Sequence, residues 1–409
     1  MNNTVLIIGG GIAGVTTGIV LRLVGYSTRI VCRHWLGDAD STGNWYAAEP
    51  RFASQYPAAS IIPHSVRIED EAWHMRTSLC LFETLHFSGT AGVRKQRHYE
   101  IFETKRAPEN YALQMAGYRP LPDDGSGESG VPRRTPEVPV YGWSFETLFA
   151  EMPRYRAFLA GLYRKLGGEV EAGRFFDADS LRRERAETIV NCAGAWGPGL
   201  WGDALPSRYV KGTLVRAQAG GRIPWNRATG EVFSYNYHPT PVIYARPDGS
   251  SADVYFYPRT DGWLLGGTRL ESGDLPADGV PLSDDITPWT GESWSGRTVA
   301  IPQEGVAGRT CEVPEPILTL NRDIINALTG VDVDTLPKAA MIGYRHKRET
   351  VRLESTTEGM RSILHNYGHG GAGVTLSWSC AIRIASMITS TNQLGAGDIE
   401  SLLIASVKR

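Results

Sequence analysis

The sequence lacks a charge excess of either sign. Its 42 basic and 44 acidic residues leave a formal net charge of −2, which removes the usual basis for binding nucleic acid or an anionic membrane. It also lacks internal repeats and low-complexity tracts, so an ordinary globular architecture is expected. A small, locally recognised ligand fits this balance better than a macromolecular partner.

Cysteine is scarce and forms no recognisable pattern. There is no C-x-x-C pair and no zinc spacing, which favours free thiols in a reducing compartment and hence the cytoplasm. None of the 9 histidines has metal spacing, and no Ser/His/Asp or Cys/His arrangement calls for a hydrolase. No metal is therefore predicted. The five cysteines are Cys32, Cys80, Cys192, Cys311 and Cys380.

Long apolar runs are also missing, apart from residues 4–25. That stretch has no basic leader and is interrupted by glycines, so it predicts a strand, a turn and a helix rather than a signal peptide or a membrane span. No membrane partner is expected. With 409 residues, the chain is long enough for two or three domains.

Three segments of the chain are typical of parallel α/β structure. TVLIIGG, a helical pattern over Ile12–Val24 and STRIVC together predict a βαβ unit. YRAFLAGLYRK has apolar residues on one helical face, stops at a Gly-Gly pair, and is followed by the buried strand AETIVNCAG. Near the C-terminus, the strand ILHNY precedes a glycine turn and a helix from about Val374.

The middle of the chain has a different character. PVIYARP, DVYFYP and GWLLGG, between Leu214 and Gly267, predict an antiparallel sheet. Residues 271–315 look loop-rich and 316–330 helical. The predicted fold class is α/β, with a discontinuous Rossmann-like domain formed by residues 1–75, 141–208 and 336–409. A β-rich domain is expected to comprise residues 76–140 and 209–335.

The N-terminal turn carries a pattern of three glycines. Gly9-x-Gly11-x-x-Gly14 lies between a strand and a helix, the context in which it predicts dinucleotide binding. Gly9 allows the tight turn, Gly11 allows a diphosphate to approach the backbone, and Gly14 lets helix and strand pack closely. The helix amides and dipole would then bind the diphosphate.

The identity of the dinucleotide stays open at this point. The acidic residue expected about 20 positions further on is missing, because the second strand ends in Arg33 and His34. This arginine suits NADP. It equally suits FAD, with Arg33 or His34 at the adenosine end.

A second glycine-rich turn, YGHGGAG, lies more than 350 residues further along the chain. Gly368, Gly370, Gly371 and Gly373 would let the backbone approach a planar ligand, and the following helix would direct its positive end there. Such a helix end would stabilise the negative charge of a reduced flavin. Nicotinamide develops no such charge, so this turn favours FAD.

Colinear segments of the chain resemble the D-amino acid oxidase family of flavoproteins. They are IIGGGIAG, AAS (58–60), YGW (141–143), IVNCAGAW (189–196), YFYP and WLLGG (255–267), GYRHKRETVRLE (343–354) and HNYGHGGAGVTLSW (365–378). Residues 76–136 and 271–335 match poorly and look enlarged. The resemblance implies a discontinuous FAD-binding domain with a β-rich substrate domain.

The resemblance also implies roles for individual residues. Arg345 corresponds to the arginine that holds the substrate carboxylate, for which a planar guanidinium offers two parallel donors. Tyr255 corresponds to a tyrosine that adds a hydrogen bond, although its pairing with Tyr257 on one strand face also suits a core role. Some members of the family have a second active-site tyrosine. The corresponding position in this chain lies near Ser251, and no tyrosine is found there.

Arg345, Tyr255 and Gly371 are thus the candidate catalytic residues. Arg348 and Arg352, in the same segment as Arg345, are attributed to structural ion pairs. The candidate cofactor-binding residues are Gly9, Gly11, Ile12, Ala13, Gly14, Arg33, His34, Ala58, Ala59, Ser60, Ala193, Gly194, Trp196, Gly343, Gly368, Gly370, Gly371, Ala372, Gly373, Val374 and Thr375.

The run GVRKQRHYEIF predicts a strand with two interpretations. One of its faces, Lys95–Arg97–Tyr99 or Arg94–Gln96–His98, could line the pocket and favour an acidic side chain. Such basic runs more often protect an edge strand from aggregation, and that interpretation is favoured.

The implied reaction is oxidation of an amino acid, with a D-amino acid favoured. The neutral amine would lose its Cα hydride to FAD, the imino acid would hydrolyse to a keto acid and ammonia, and dioxygen would yield peroxide. The alternatives are a secondary or cyclic amino acid, a tailoring step on a larger metabolite, and a non-enzymatic flavin or NADP module. A homodimer is the assembly considered.

Overall fold

The computed structural model describes residues 4–38, 49–55, 57, 59–62, 66–126, 128–174, 178–276, 289–389 and 394–408. Its helices are α1 (Ile12–Leu23), α2 (Glu71–Ser88), α3 (Met152–Lys165), α4 (Ala178–Arg183), α5 (Gly197–Trp201), α6 (Glu315–Thr329), α7 (Gly373–Thr389) and α8 (Ala396–Lys408). Its strands are β1 (Thr4–Gly10), β2 (Ser27–Trp35), β3 (Val93–Phe102), β4 (Arg119–Pro120), β5 (Tyr141–Ala150), β6 (Glu169–Ala172), β7 (Thr188–Asn191), β8 (Ser207–Ala217), β9 (Phe233–His238), β10 (Val254–Arg259), β11 (Gly262–Gly266), β12 (Leu270–Glu271), β13 (Thr298–Pro302), β14 (Thr310–Pro314), β15 (Lys338–Glu358) and β16 (Arg361–His369).

One half of the molecule is a parallel, doubly wound unit. Strands β16, β7, β1, β2 and β6 lie side by side in that order, and each neighbouring pair is parallel. The β1–α1–β2 unit forms where the sequence predicts it, because apolar residues of β1 and one face of α1 are buried together. Helices α3 and α7 pack against the same core through Leu159, Tyr163 and Trp378.

The other half is dominated by antiparallel strands. β9, β10, β11 and β8 pair antiparallel in that order, while β3 joins β9 in parallel and β5 in antiparallel fashion. A separate core forms here, in which Ile317, Leu320 and Ile324 of α6 cover Phe256 of β10. The predicted fold class, a Rossmann-like part with a β-rich part, is confirmed.

Strand β15 joins the two halves into one sheet. Residues Lys338–Arg348 pair antiparallel with β8, whereas Arg352–Glu358 pair with β16. The register shifts between Lys347 and Arg352, where the strand passes from the antiparallel to the parallel half. The domain boundaries proposed from the sequence stay a prediction, because β8 begins at Ser207 and crosses one of them within a continuous sheet.

In the described part of residues 271–315, strands β13 and β14 pair with each other and most of the rest is loop, in line with the loop-rich pattern predicted there. Two local expectations are wrong. PVIYARP is not a strand: residues 241–247 form turns, with Ala245 and Ser251 making an isolated bridge. Strand β3 lies between β5 and β9 rather than at an edge, and its basic side chains bind neighbouring residues instead, as when Arg94 contacts Glu151.

In the described part of the chain, no helix combines the length and apolarity needed to cross a bilayer.

Candidate active site

Two adjoining cavities lie where the two halves of the sheet meet. The larger encloses about 460 Å³ and the smaller about 180 Å³. Both are lined by the start of α1, by Ser54 and by the C-terminal glycine turn, so the two cavities share a wall. The residues common to both walls are Ile12, Ala53, Ser54, Gly370 and Gly373.

The N-terminal turn forms one end of the smaller cavity and requires its glycines. Gly9 has φ +114°, and a Cβ there would lie 2.3 Å from the Cys192 carbonyl oxygen. A Cβ on Gly14 would lie 1.9 Å from the Gly9 carbonyl oxygen, so Gly14 provides close packing and does not line the cavity. Gly11 lines the cavity at the start of α1, where a Cβ would crowd Ser54.

The wall of the smaller cavity is basic. Arg33, Arg51 and Arg174 line it, and no carboxylate does so in the described part of the chain. The carboxylates that pair with them lie behind the wall: Arg51 contacts Glu49 at 2.7 Å, and Arg174 contacts Glu171 at 3.0 Å. An anionic group such as a diphosphate suits this surface.

Buried polar atoms without protein partners also concentrate around the cavities. None of these atoms has a hydrogen-bond partner among the described residues. One of them, Ser60 Oγ, lies at the larger cavity. The others line the smaller cavity and are His34 Nε2, Trp196 Nε1, both ring nitrogens of His346, Asn366 Oδ1 and His369 Nε2. Buried polar groups are rarely left unsatisfied in proteins. A large ligand with many hydrogen-bonding groups, such as FAD, fits this wall.

The C-terminal turn contributes backbone to both cavities. Gly368 has φ +86° and Gly370 φ +52°, conformations that favour glycine. Gly370, Gly371 and the first turn of α7 (373–375) line the larger cavity. Amides in the first turn of a helix have no partner within that helix, so this end of α7 presents positive potential to the cavity.

The two predicted substrate-binding side chains meet in the larger cavity. Arg345 Nη2 donates to the Tyr255 hydroxyl at 3.5 Å, although the residues are 90 positions apart. Strands β15 and β10 place them there, with β8 and β11 between. Both line the cavity, and Tyr255 is 4% exposed. Their side chains can therefore offer a carboxylate several donors from one wall.

Two glycines that sequence reasoning missed make room for this pair. Gly266 lies directly opposite Tyr255, and a Cβ there would lie 2.1 Å from the tyrosine ring. A Cβ on Gly212 would lie 2.8 Å from the Arg345 guanidinium. A glycine inside a strand pattern was the available signal, since it marks close approach of another group.

The other charges of the larger cavity are largely compensated. Of the four basic side chains in its wall, Arg246 and Arg269 lie near Asp253, and Lys347 contacts Glu271 at 3.3 Å. Burial opposes ionisation of Asp253, yet the adjacent Arg269 keeps the pKa of that carboxyl below its usual value. Arg345 is the basic wall residue without a carboxylate partner among the described residues.

The remaining predicted residues divide between the two cavities. The smaller one is lined by Gly9, Gly11, Ile12, Ala13, Arg33, His34, Ala193, Gly194, Trp196, Gly368, Gly370 and Gly373, and the larger one by Ile12, Ala59, Ser60, Gly343, Gly370, Gly371, Gly373, Val374 and Thr375. Ala372 is 5% exposed and lines neither cavity. Ala58 lies outside the described residues. No residue of β3 lines either cavity.

Comparisons with known proteins agree with this architecture. The family model described as FAD dependent oxidoreductase (DAO) matches residues 4–387. The chain is 27% identical to a D-amino-acid oxidase of Rubrobacter xylanophilus, covering 93% of this chain and 94% of the relative. It is 25% identical to the D-aspartate oxidase of Homo sapiens, covering 94% of each.

A solved structure of similar fold agrees with the observed architecture. The glycine oxidase from Geobacillus kaustophilus aligns with a TM-score of 0.61 at 16% identity, over 96% of this chain and 95% of that one. Since the family model spans nearly the whole chain, the assignment does not depend on any single relative. The protein is an enzyme that belongs to the DAO family of FAD dependent oxidoreductases, and FAD is its cofactor.

Proposed function

We propose that the enzyme oxidises an amino acid at Cα, with a D-amino acid as its substrate. The products are an imino acid, which hydrolyses to a keto acid and ammonia, and hydrogen peroxide formed from dioxygen. The observation that carries the proposal is the Arg345–Tyr255 pair. It offers a carboxylate-binding group that has no counter-ion among the described residues, in the same cavity as the C-terminal glycine turn.

The side chains of the larger cavity have defined tasks in this reaction. Arg345 and Tyr255 bind the substrate carboxylate and so fix the orientation of the neighbouring Cα. FAD, when bound, supplies the hydride acceptor. Among the described residues no histidine lines this cavity. Of its three carboxylates in the described part of the chain, Glu271 is held by Lys347 and Arg208, and Asp248 and Glu292 are exposed to solvent. The proposal therefore uses no strong protein base.

The charge of the wall also favours the reactive form of the amine. A neutral amine can release hydride from its Cα, whereas an ammonium group withdraws electrons from that carbon. The basic groups around the cavity, Arg345 above all, disfavour a second positive charge nearby and so lower the pKa of a bound amine. The same guanidinium thus orients the substrate and favours the neutral form of its amine, whose proton is lost to solvent before hydride transfer.

The D configuration rests on the curated relatives. The Rubrobacter xylanophilus and human proteins are named for D-amino acids, and both align over more than nine-tenths of this chain. Anaerobic bleaching of the flavin by D-alanine and other D-amino acids, but not by their mirror images, is the expected result. Bleaching by L-amino acids, sarcosine or proline alone would contradict the proposal.

A second candidate narrows the substrate to an amino acid with two carboxylates. Arg269 is a second guanidinium in the wall of the larger cavity, with its Cζ 5.8 Å from the Tyr255 ring centroid. Its Nε and Nη2 bind Asp253, which leaves Nη1 without a partner among the described residues. The human relative acts, by its name, on D-aspartate.

D-Aspartate and D-asparagine provide the matched pair for this candidate. They have nearly the same size and differ in the charge of the side chain. If Arg269 binds a second carboxylate, kcat/KM for D-aspartate exceeds that for D-asparagine by roughly tenfold or more. Equal values, or a preference for the amide, would exclude this narrower substrate class while leaving D-amino acid oxidation in place.

A further inference from the structure

His346 lies at the junction of the two cavities. Its neighbours in β15, Arg345 and Lys347, line the larger cavity, whereas His346 lines the smaller one, as expected from the alternation of side chains along a strand. Its carbonyl oxygen accepts a hydrogen bond of 2.9 Å from the amide of Gly370, which lines both cavities. The backbone of His346 is thus fixed next to the wall that the two cavities share, and its imidazole lines the smaller cavity beside that wall.

The imidazole of His346 is buried without hydrogen-bond partners. The residue is 8% exposed and packs between the rings of Tyr209 and Tyr367, yet neither Nδ1 nor Nε2 has a partner among the described residues. His365, on the adjacent strand, is different. Its Nδ1 lies 3.3 Å from Asn191 Nδ2 and its Nε2 lies 3.1 Å from Thr356 Oγ1.

The charge state of His346 defines what could bind it. Burial, followed by the nearby Arg348, lowers the pKa of His346 to about 3, so the ring is neutral at physiological pH. A neutral imidazole has one N–H donor and one acceptor nitrogen. A diphosphate offers acceptors only and would leave the second nitrogen unsatisfied, whereas hydroxyl groups both donate and accept.

We propose that His346 is a cofactor-binding residue that holds the ribityl hydroxyl groups of FAD. In this dinucleotide the ribityl chain is the polyol between the diphosphate and the flavin ring. The junction of the basic smaller cavity with the larger one is the matching place in the protein. The inference concerns cofactor binding, so it is independent of the amino acid substrate proposed above.

Titration of the apoprotein with FAD and with ADP tests this role. ADP contains the diphosphate and adenosine but no ribityl chain. His346→Phe removes both ring nitrogens and is expected to raise the Kd for FAD roughly ten- to a hundredfold, with the Kd for ADP unchanged. His346→Gln keeps a donor and an acceptor and is expected to bind FAD within a few-fold of the natural protein. Flavin fluorescence and calorimetry measure these constants without any substrate.

Two controls separate cofactor binding from folding. His346→Met replaces the ring with a flexible apolar chain, and it serves in place of His346→Phe if that variant does not fold. His365→Phe removes a buried imidazole that lines neither cavity, and it is expected to lower Tm without changing the Kd for FAD. An unchanged FAD Kd in the apolar variants would overturn the proposal, as would equal losses for FAD and ADP.

Discussion

The two cavities are built from different recognition groups. Among the described residues, the smaller one presents neutral polar atoms without protein partners and arginines whose carboxylates lie behind the wall. In the larger one, Arg246, Arg269 and Lys347 lie beside carboxylates, whereas Arg345 has no carboxylate partner in the described part of the chain. Many weak directional contacts suit a large ligand that stays bound, whereas one uncompensated basic group suits a small acid that exchanges. We therefore propose that substrate selection depends on the larger cavity, and that the smaller one supplies most of the polar contacts that retain the cofactor.

Removal of the uncompensated charge should cause the largest effect. Arg345→Ala is expected to lower kcat/KM for a D-amino acid by roughly a thousandfold, mostly through KM, because the substrate carboxylate loses its charged hydrogen bonds. The Kd for FAD should stay unchanged. Arg216→Ala is the matched control, because that arginine pairs with Glu304 at 2.6 Å and neither residue lines a cavity. Equal losses in both variants would remove the distinction between the cavities.

The reverse experiment damages the smaller cavity. Gly9→Ala combines φ +114° with a Cβ 2.3 Å from a backbone oxygen, so the turn must move. We expect FAD affinity to fall roughly a hundredfold. Gly25→Ala has a similar φ of +94° but open space around its Cβ, so it should cost about 1 kcal/mol of stability and leave the Kd for FAD unchanged.

A smaller effect is expected from a substitution that takes up the space needed by the Arg345–Tyr255 pair. Gly266→Ala would push the Tyr255 ring, because the added Cβ would lie 2.1 Å from it. KM for the amino acid should rise roughly tenfold with FAD binding intact. Tyr255→Phe, which removes only the hydroxyl, should cost about as much or less. A loss of FAD from Gly266→Ala would show that the two cavities are not functionally separate.

The last effect concerns acid and changes the stability of the fold, with no change in ligand binding at neutral pH. Burial, with Arg348 beside His346 and His74 beside His369, lowers the pKa of these two histidines to about 3 and about 4. An unfolded histidine takes up a proton below about pH 6.5, whereas these buried rings stay neutral, so their stabilising contribution is complete above that pH. It is lost as the pH falls towards about 4. Tm of the apoprotein should therefore fall between pH 6.5 and pH 5, and a flat profile would contradict this assignment.

The parts of the site that the sequence predicts are those with a local pattern. The turn at Gly9–Gly14 and the turn at Gly368–Gly373 each lie between a strand and a helix, so their glycines could be recognised without knowing the fold. Arg345 and Tyr255 were identified through the family resemblance. Their contact depends on β8 and β11 lying between their strands, which no local pattern contains.

Other residues of the site were not predictable for a physical reason. Arg269 lies in the link between β11 and β12, and His346 lies in ordinary strand sequence, so their importance comes from the groups that the fold brings next to them. Gly212 and Gly266 carried only the weak signal of a glycine within a strand. The edge-strand interpretation of β3 failed for the same reason. Its basic residues look like surface residues until β5 and β9 cover both sides and provide partners such as Glu151.

Strand β15 carries groups for both cavities on opposite faces, so both cavities depend on the accurate pairing of this strand. Eleven consecutive residue pairs, from Lys338–Ala217 to Arg348–Ser207, fix β15 against β8. A slip by a single residue would exchange the faces, turning the guanidinium of Arg345 towards the smaller cavity and the imidazole of His346 towards the larger one. Correct alignment of one pair of strands thus keeps each of these side chains in its own cavity.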